Sequence, residues 1–108
     1  MSVQARKERD VVRRPERDPG RGVYGITTAA ELAGVRASTL RLYEQNGLIT
    51  PDRTVGGTRR FSDDDIQRLR HIGDLVAMGI NHAGIARILE LETDNRRLRS
   101  RLDGARPS

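Results

Sequence analysis

At 108 residues, with 35% hydrophobic and 3% aromatic side chains, the chain has room for one small domain plus tails, and its core is small enough to need a partner subunit. The absence of cysteine excludes disulfides, thiol redox sensing and thiolate metal sites. No apolar run approaches ~18 residues and no apolar segment opens the chain, so neither a membrane span nor a secretory signal is expected.

A net charge of +5 and a pI near 10.9 ask for a polyanionic partner, most simply nucleic acid; a solvated arginine-rich surface is the alternative reading. The charge is uneven. Residues 1–22 carry seven basic and four acidic side chains, residues 23–62 five and three, residues 63–92 three and six, and residues 93–108 five and two. The front half and the tail suit phosphates, and the block at 63–92 does not. Lys7 is the only lysine, which a GC-rich genome explains as well as phosphate binding does.

Residues 1–22 show no apolar period and read as a disordered basic arm, either without a role or adding non-specific phosphate contacts. The first ordered element starts near Ile26. Thr28-Ala29-Ala30-Glu31 predicts a capping box with Thr28 as N-cap. Leu32 and Ala33 continue the apolar face, and Gly34 ends the helix. A second helix is predicted from Ala37 to Asn46, with Leu40, Tyr43 and Leu48 inward and Gly47 as its stop. Two short helices joined by a turn containing Gly make a helix-turn-helix.

Pro51 biases Thr50 to extended backbone. Arg53-Thr54-Val55 and Thr58-Arg59-Arg60-Phe61 can then pair as a hairpin around Gly56-Gly57. Ser62 caps a third helix, with Asp63, Asp64 and Asp65 at the positive end of its dipole rather than around a metal. Ile66, Leu69, Ile72, Leu75 and Val76 form its inward face, and Gly79 ends it. Asn81 caps a fourth helix with Ile85, Ile88 and Leu89 inward. Ile88, Leu91, Asn95, Leu98 and Leu102 then follow a heptad seam in which Asn95 can fix register. From Leu91 to Leu102 the seam is only ~18 Å long, marginal without a partner surface; folding back on its own domain is the alternative.

These segments together resemble the MerR family of winged-helix regulators. The likeness covers Tyr24 to Leu91 and rests on residues 26–35, the run Thr39-Leu40-Arg41-Leu42-Tyr43-Glu44, the run Gly47-Leu48-Ile49-Thr50-Pro51, Arg59-Arg60-Phe61-Ser62, and Asp65-Ile66. The stretch from Gly79 to Glu92 is similar to the heat-shock repressor (HspR-like) subgroup. The resemblance implies a mainly α fold: a winged helix-turn-helix head of four helices and a β-hairpin wing, followed by a short dimerisation helix. The expected organisation is a disordered arm at 1–22, the head at 23–90, a coiled-coil helix at 91–103 and a disordered tail at 104–108. It also implies a cytoplasmic, nucleoid-associated bacterial homodimer that binds an inverted repeat in double-stranded DNA and represses stress or chaperone genes, with a DnaK-type chaperone as co-repressor.

Four departures stand out. Arg36 replaces a common Ser N-cap, so either Ser38 caps the second helix or Arg36 is free to reach DNA. Leu42 replaces a common phosphate-binding tyrosine. No effector domain is expected after the head, and the cysteines of the metal-sensing members are absent.

On this reading the second helix enters the major groove. Arg41 is the leading candidate for base or phosphate contact, with Arg36, Ser38 and Thr39 on the turns that approach base edges. Thr28 caps its helix and can receive a phosphate. Tyr43 packs inward with its hydroxyl free to reach a phosphate. Arg59 and Arg60 point to opposite sides of a strand, so one grips DNA and the other braces the hairpin; Arg53 is a weaker phosphate candidate. Ile88, Leu91, Asn95, Leu98 and Leu102 are the dimerisation set. His71 and His82 lie on different helices and make no metal site. No catalytic constellation, cofactor or membrane contact is expected. Two rival readings are a DNA-architectural, excisionase-type accessory protein and a coiled-coil interaction adaptor.

Overall fold

The computed structural model describes residues 18–105. Most of the predicted arm and the last three residues of the predicted tail lie outside the described residues. The elements in chain order are α1 (Ile26–Ala33), α2 (Ala37–Gln45), β1 (Asp52–Arg53), β2 (Arg59–Arg60), α3 (Asp63–Ala77) and α4 (His82–Ala105). Among the described residues, four helices and an antiparallel hairpin therefore make up the fold, and α3 packs against both α1 and α4.

The predicted capping box at Thr28 does not form. The N-cap of α1 is Gly25, whose carbonyl accepts from the Ala29 N–H at 2.9 Å, and no side chain caps the helix. The cause is non-local. Tyr24 exchanges both backbone hydrogen bonds with Phe61, at 2.9 and 2.7 Å, and this bridge fixes the chain just before Gly25. Thr28 therefore lies inside the first turn and is exposed. The apolar face shifts with it: Ala29 and Ala30 are buried, whereas Leu32 is 40% exposed.

Gly34 ends α1 as predicted, with φ 73. Its N–H reaches Glu31 O at 3.2 Å and the Val35 N–H reaches Ala30 O at 3.0 Å, a closure that needs a left-handed residue and so favours glycine. The second helix then begins without a side-chain cap. Arg36 occupies the N-cap position and Ser38 sits inside the helix, so Ser38 is not the cap. Leu40, Tyr43, Leu48 and Ile49 are all buried.

Two arginines of α3 tie this motif down. Arg70 donates from Nε and Nη2 to the Leu32 carbonyl, at 3.2 and 2.9 Å, which satisfies the open end of α1. Arg68 Nε donates to Leu48 O at 2.7 Å, where the chain leaves α2. These two cations serve the fold.

In the hairpin, Asp52 pairs with Arg60 and Arg53 with Arg59. Thr54 and Thr58 close the tip at 2.8 Å, and Gly57 takes φ 89 there. Residues 18–22, expected to belong to the disordered arm, run beside the stem instead. The Gly22 N–H donates to Asp52 Oδ2 at 3.1 Å, and the Asp64 N–H donates to Pro19 O at 3.0 Å. A β-carbon at Gly22 would meet the Arg60 carbonyl oxygen at 2.4 Å, and backbone cannot swing aside. Gly22→Ala is expected to destabilise the fold by about 1–3 kcal/mol, as overpacking does. An unchanged midpoint in urea denaturation would contradict that.

Ser62 and Asp65 form the predicted cap of α3 in reciprocal form, each side chain accepting from the other's N–H at 2.9 Å. Ile66, Leu69, Ile72 and Leu75 face inward. Val76, also expected there, is 40% exposed in the last turn, where the covering layer has run out.

Asn81 Oδ1 accepts from the Gly84 N–H at 2.8 Å and caps α4. Ile85 and Leu89 are buried against the head. The fourth helix and the dimerisation helix expected at 91–103 form one continuous element. Nothing in the intervening sequence stops a helix, so the 24 residues of α4 run on for about 36 Å. His71 Nε2 meets both Glu92 carboxylate oxygens, at 2.9 and 3.0 Å, and fastens α3 to this helix. Around and beyond that contact, Leu91, Leu98 and Leu102 are 49%, 56% and 65% exposed. Among the described residues no helix is long and apolar enough to cross a membrane.

Candidate nucleic-acid interface

Helical spacing sorts α2 into two faces. Leu40 and Tyr43 turn inward, and Ser38, Arg41, Leu42 and Gln45 share the opposite, exposed side. Arg36 and Arg41 are exposed and carry no ion pair among the described residues. Thr39 is half-buried. Thr28 is exposed on α1, without the capping role predicted for it.

Tyr43 sits edge-on to His82, ring centroids 5.7 Å apart. Burial pushes its phenol above the ordinary value. No buried side-chain nitrogen or oxygen among the described residues lacks a partner, so the Tyr43 hydroxyl, which makes no hydrogen bond, reaches the surface. His82 Nδ1 also lies 2.7 Å from Asn46 Nδ2. The start of α4 is thereby seated on the end of α2.

The wing is attached to α2 through one carboxylate. Glu44 Oε1 accepts from Arg59 Nε at 2.5 Å, and Oε2 accepts from Arg53 Nη2 at 2.8 Å. Arg53 Nη1 continues to Gly57 O at 2.9 Å, near the tip. The hydrogen bond from Arg59, joined by that from Arg53 and by both charges, holds the Glu44 carboxyl below its ordinary value despite partial burial. The contribution of this brace is present above the unfolded carboxyl pKa and is lost as pH falls through the lowered folded value.

This divides the wing arginines. Arg59 is the brace, and Arg53, expected as a phosphate candidate, is committed to the same carboxylate. Arg60 faces the other way. Its Nη1 donates to Arg59 O at 3.2 Å and lies beside Gly25, with no carboxylate partner among the described residues. Arg36 and Arg41 on the helix and Arg60 on the wing are therefore the cations left for phosphates. Glu44 itself was not among the expected site residues. The available signal was slight: Glu44 is the only charged side chain between Arg41 and Asp52.

The clefts flanking Leu89 are lined mainly by charged side chains, Arg68, His71, Glu92 and Arg96 in one of about 430 Å³. Small-molecule pockets are mostly apolar, so this is poor ground for an effector site. Among the described residues no group of three His, Cys, Asp or Glu side chains could hold a metal ion.

A helix-turn-helix closed by a left-handed glycine, a wing fastened to its second helix, and unpaired arginines on both define a DNA-binding regulator of the winged-helix class. Residues 24–92 match the family described as MerR HTH family regulatory protein, and the chain belongs to that family. It is 47% identical over 91 residues to the heat shock protein HspR of Streptomyces coelicolor, covering 77% of this chain and 60% of that one. It is 37% identical over 67 residues to the HTH-type transcriptional regulator GlnR of Bacillus anthracis, covering 62% and 52%. The chain thus spans about half to three fifths of these relatives' length. Among solved structures, it superposes with TM-score 0.63 and 34% identity on HiNmlR, a MerR family regulator lacking the sensor domain and bound to promoter DNA, over 74% of this chain and 62% of that one.

Proposed function

We propose that the chain is a sequence-specific transcription regulator that binds an inverted repeat in double-stranded DNA as a homodimer and represses stress or chaperone genes. The observation that carries this reading is the joint presentation of α2 and the wing, with Arg36, Arg41 and Arg60 free of carboxylate partners among the described residues. Arg41 enters the major groove with Ser38 and Thr39 beside it, and Arg60 supplies the wing's phosphate contact. The likeness to HspR supports the stress-gene assignment and extends the proposal to a DnaK-type chaperone as co-repressor. The exposed seam of α4, centred on Asn95, supports the homodimer and argues against an architectural protein that lacks one. The unpaired rim arginines argue against a pure interaction adaptor.

Three such cations per head give about six phosphate contacts per dimer and a slope of log K against log salt near −5. Arg41→Ala is expected to reduce that slope to about −3, because two contacts of ~0.9 each disappear. The measurement is a fluorescence-anisotropy titration at several salt concentrations, on a duplex selected by the full chain from a random-sequence pool. An unchanged slope and affinity would remove Arg41 from the interface. Failure of the chain to select any duplex would end the reading.

A further inference from the structure

We propose that Glu44 is the positioning residue of the interface: its carboxylate sets the angle of the wing against α2, and a negative charge on the DNA-facing side thereby strengthens DNA binding. The inference rests on the reading that α2 and the wing lie together on a duplex. Arg53 and Arg59 are directly opposite each other across the hairpin, and two like charges so placed destabilise a strand pair. Glu44 takes one from each strand, with its two oxygens split between them and its own side chain only 19% exposed. The strands are two residues long, so the ladder alone offers little stability. The side-chain fork therefore decides where the wing points. Arg60, adjacent to the braced Arg59, is carried with it.

Charge counting gives the opposite sign. Removing an acid from a DNA-binding face adds a unit of positive charge per head and should tighten binding and steepen its salt dependence. The two accounts separate in Glu44→Gln, which keeps shape and loses charge. Glu44 lies outside the hydrophobic core, so thermal unfolding should remain cooperative. With the selected duplex, the positioning role predicts affinity lower by about an order of magnitude and a salt slope shallower by about 2, the loss of one Arg60 phosphate contact in each head of a dimer. Adding Arg59→Gln to Glu44→Gln should cost little more, since the brace is already broken. Glu44→Gln binding as tightly as the wild type or more tightly, with a steeper slope, overturns the proposal while leaving the DNA-binding reading intact. A wild-type chain that binds no duplex overturns that reading instead.

Discussion

Phe61→Ala is expected to unfold the head, with a stability loss of about 3–5 kcal/mol. Phe61 is the only phenylalanine and is fully buried. It stands at a junction where three structures depend on one residue. Behind it is β2, ahead of it is the Ser62 cap of α3, and across from it is Tyr24, whose backbone pairs with its own. Truncation leaves a cavity among elements that cannot close on one another, because the wing stem and the start of α1 are both fixed by that pairing. Small domains are stable by about 5–15 kcal/mol, and this one, with so few aromatic side chains, belongs at the low end. The loss therefore removes half or more of the total. Urea unfolding followed by circular dichroism reads it directly. A shift worth less than about 1 kcal/mol, the scale of a surface change such as Leu42→Ala, would mean that the core is centred elsewhere.

Phe61 also shows what the sequence could and could not reveal. Helix stops were legible because a left-handed glycine after an apolar period is a local requirement; Gly34, Gly47 and Gly79 all adopt positive φ. The Ser62–Asp65 cap was legible for the same reason, since both partners lie within one turn. Thr28-Ala29-Ala30-Glu31 carries an equally good capping pattern and fails, because the Tyr24–Phe61 bridge starts α1 three residues earlier. That bridge spans 37 positions, beyond any local pattern. The Glu44 fork is invisible on the same ground: the motif placed Glu44 on the second helix, but nothing local says that its partners are Arg53 and Arg59. Alternation along a strand did separate Arg59 from Arg60. It could not say which side carried the acid. The continuity of α4 is hidden for a different reason. The change from a core stripe to a heptad seam near Leu91 is a change of partner, and helical backbone passes through it without a break.

That change of partner makes the largest functional prediction. Leu98→Glu with Leu102→Glu is expected to turn a dimer into a monomer and to lower affinity for a selected inverted repeat by about 10²–10⁴-fold, while binding to a single half-site stays the same. The half of α4 beyond Glu92 has no cover in the single chain, and a helix of that length is marginal in water by itself. Leucines at 91, 98 and 102 with Asn95 between them suit a mate of the same kind, in which the asparagine fixes register at some cost in stability. In the proposed homodimer, two heads joined through that seam would meet two half-sites with the second binding step made intramolecular, and the affinity gain would come from the linkage rather than from any new DNA contact. Glutamates on the seam place like charges across the pair and leave the head untouched, because Ile85 and Leu89, which anchor α4 to the core, lie well before them. Light scattering gives the mass, and titration of the full repeat beside its half-site gives the coupling. A variant that stays dimeric, or a monomer that keeps full affinity for the repeat, would move the dimer contact off this helix.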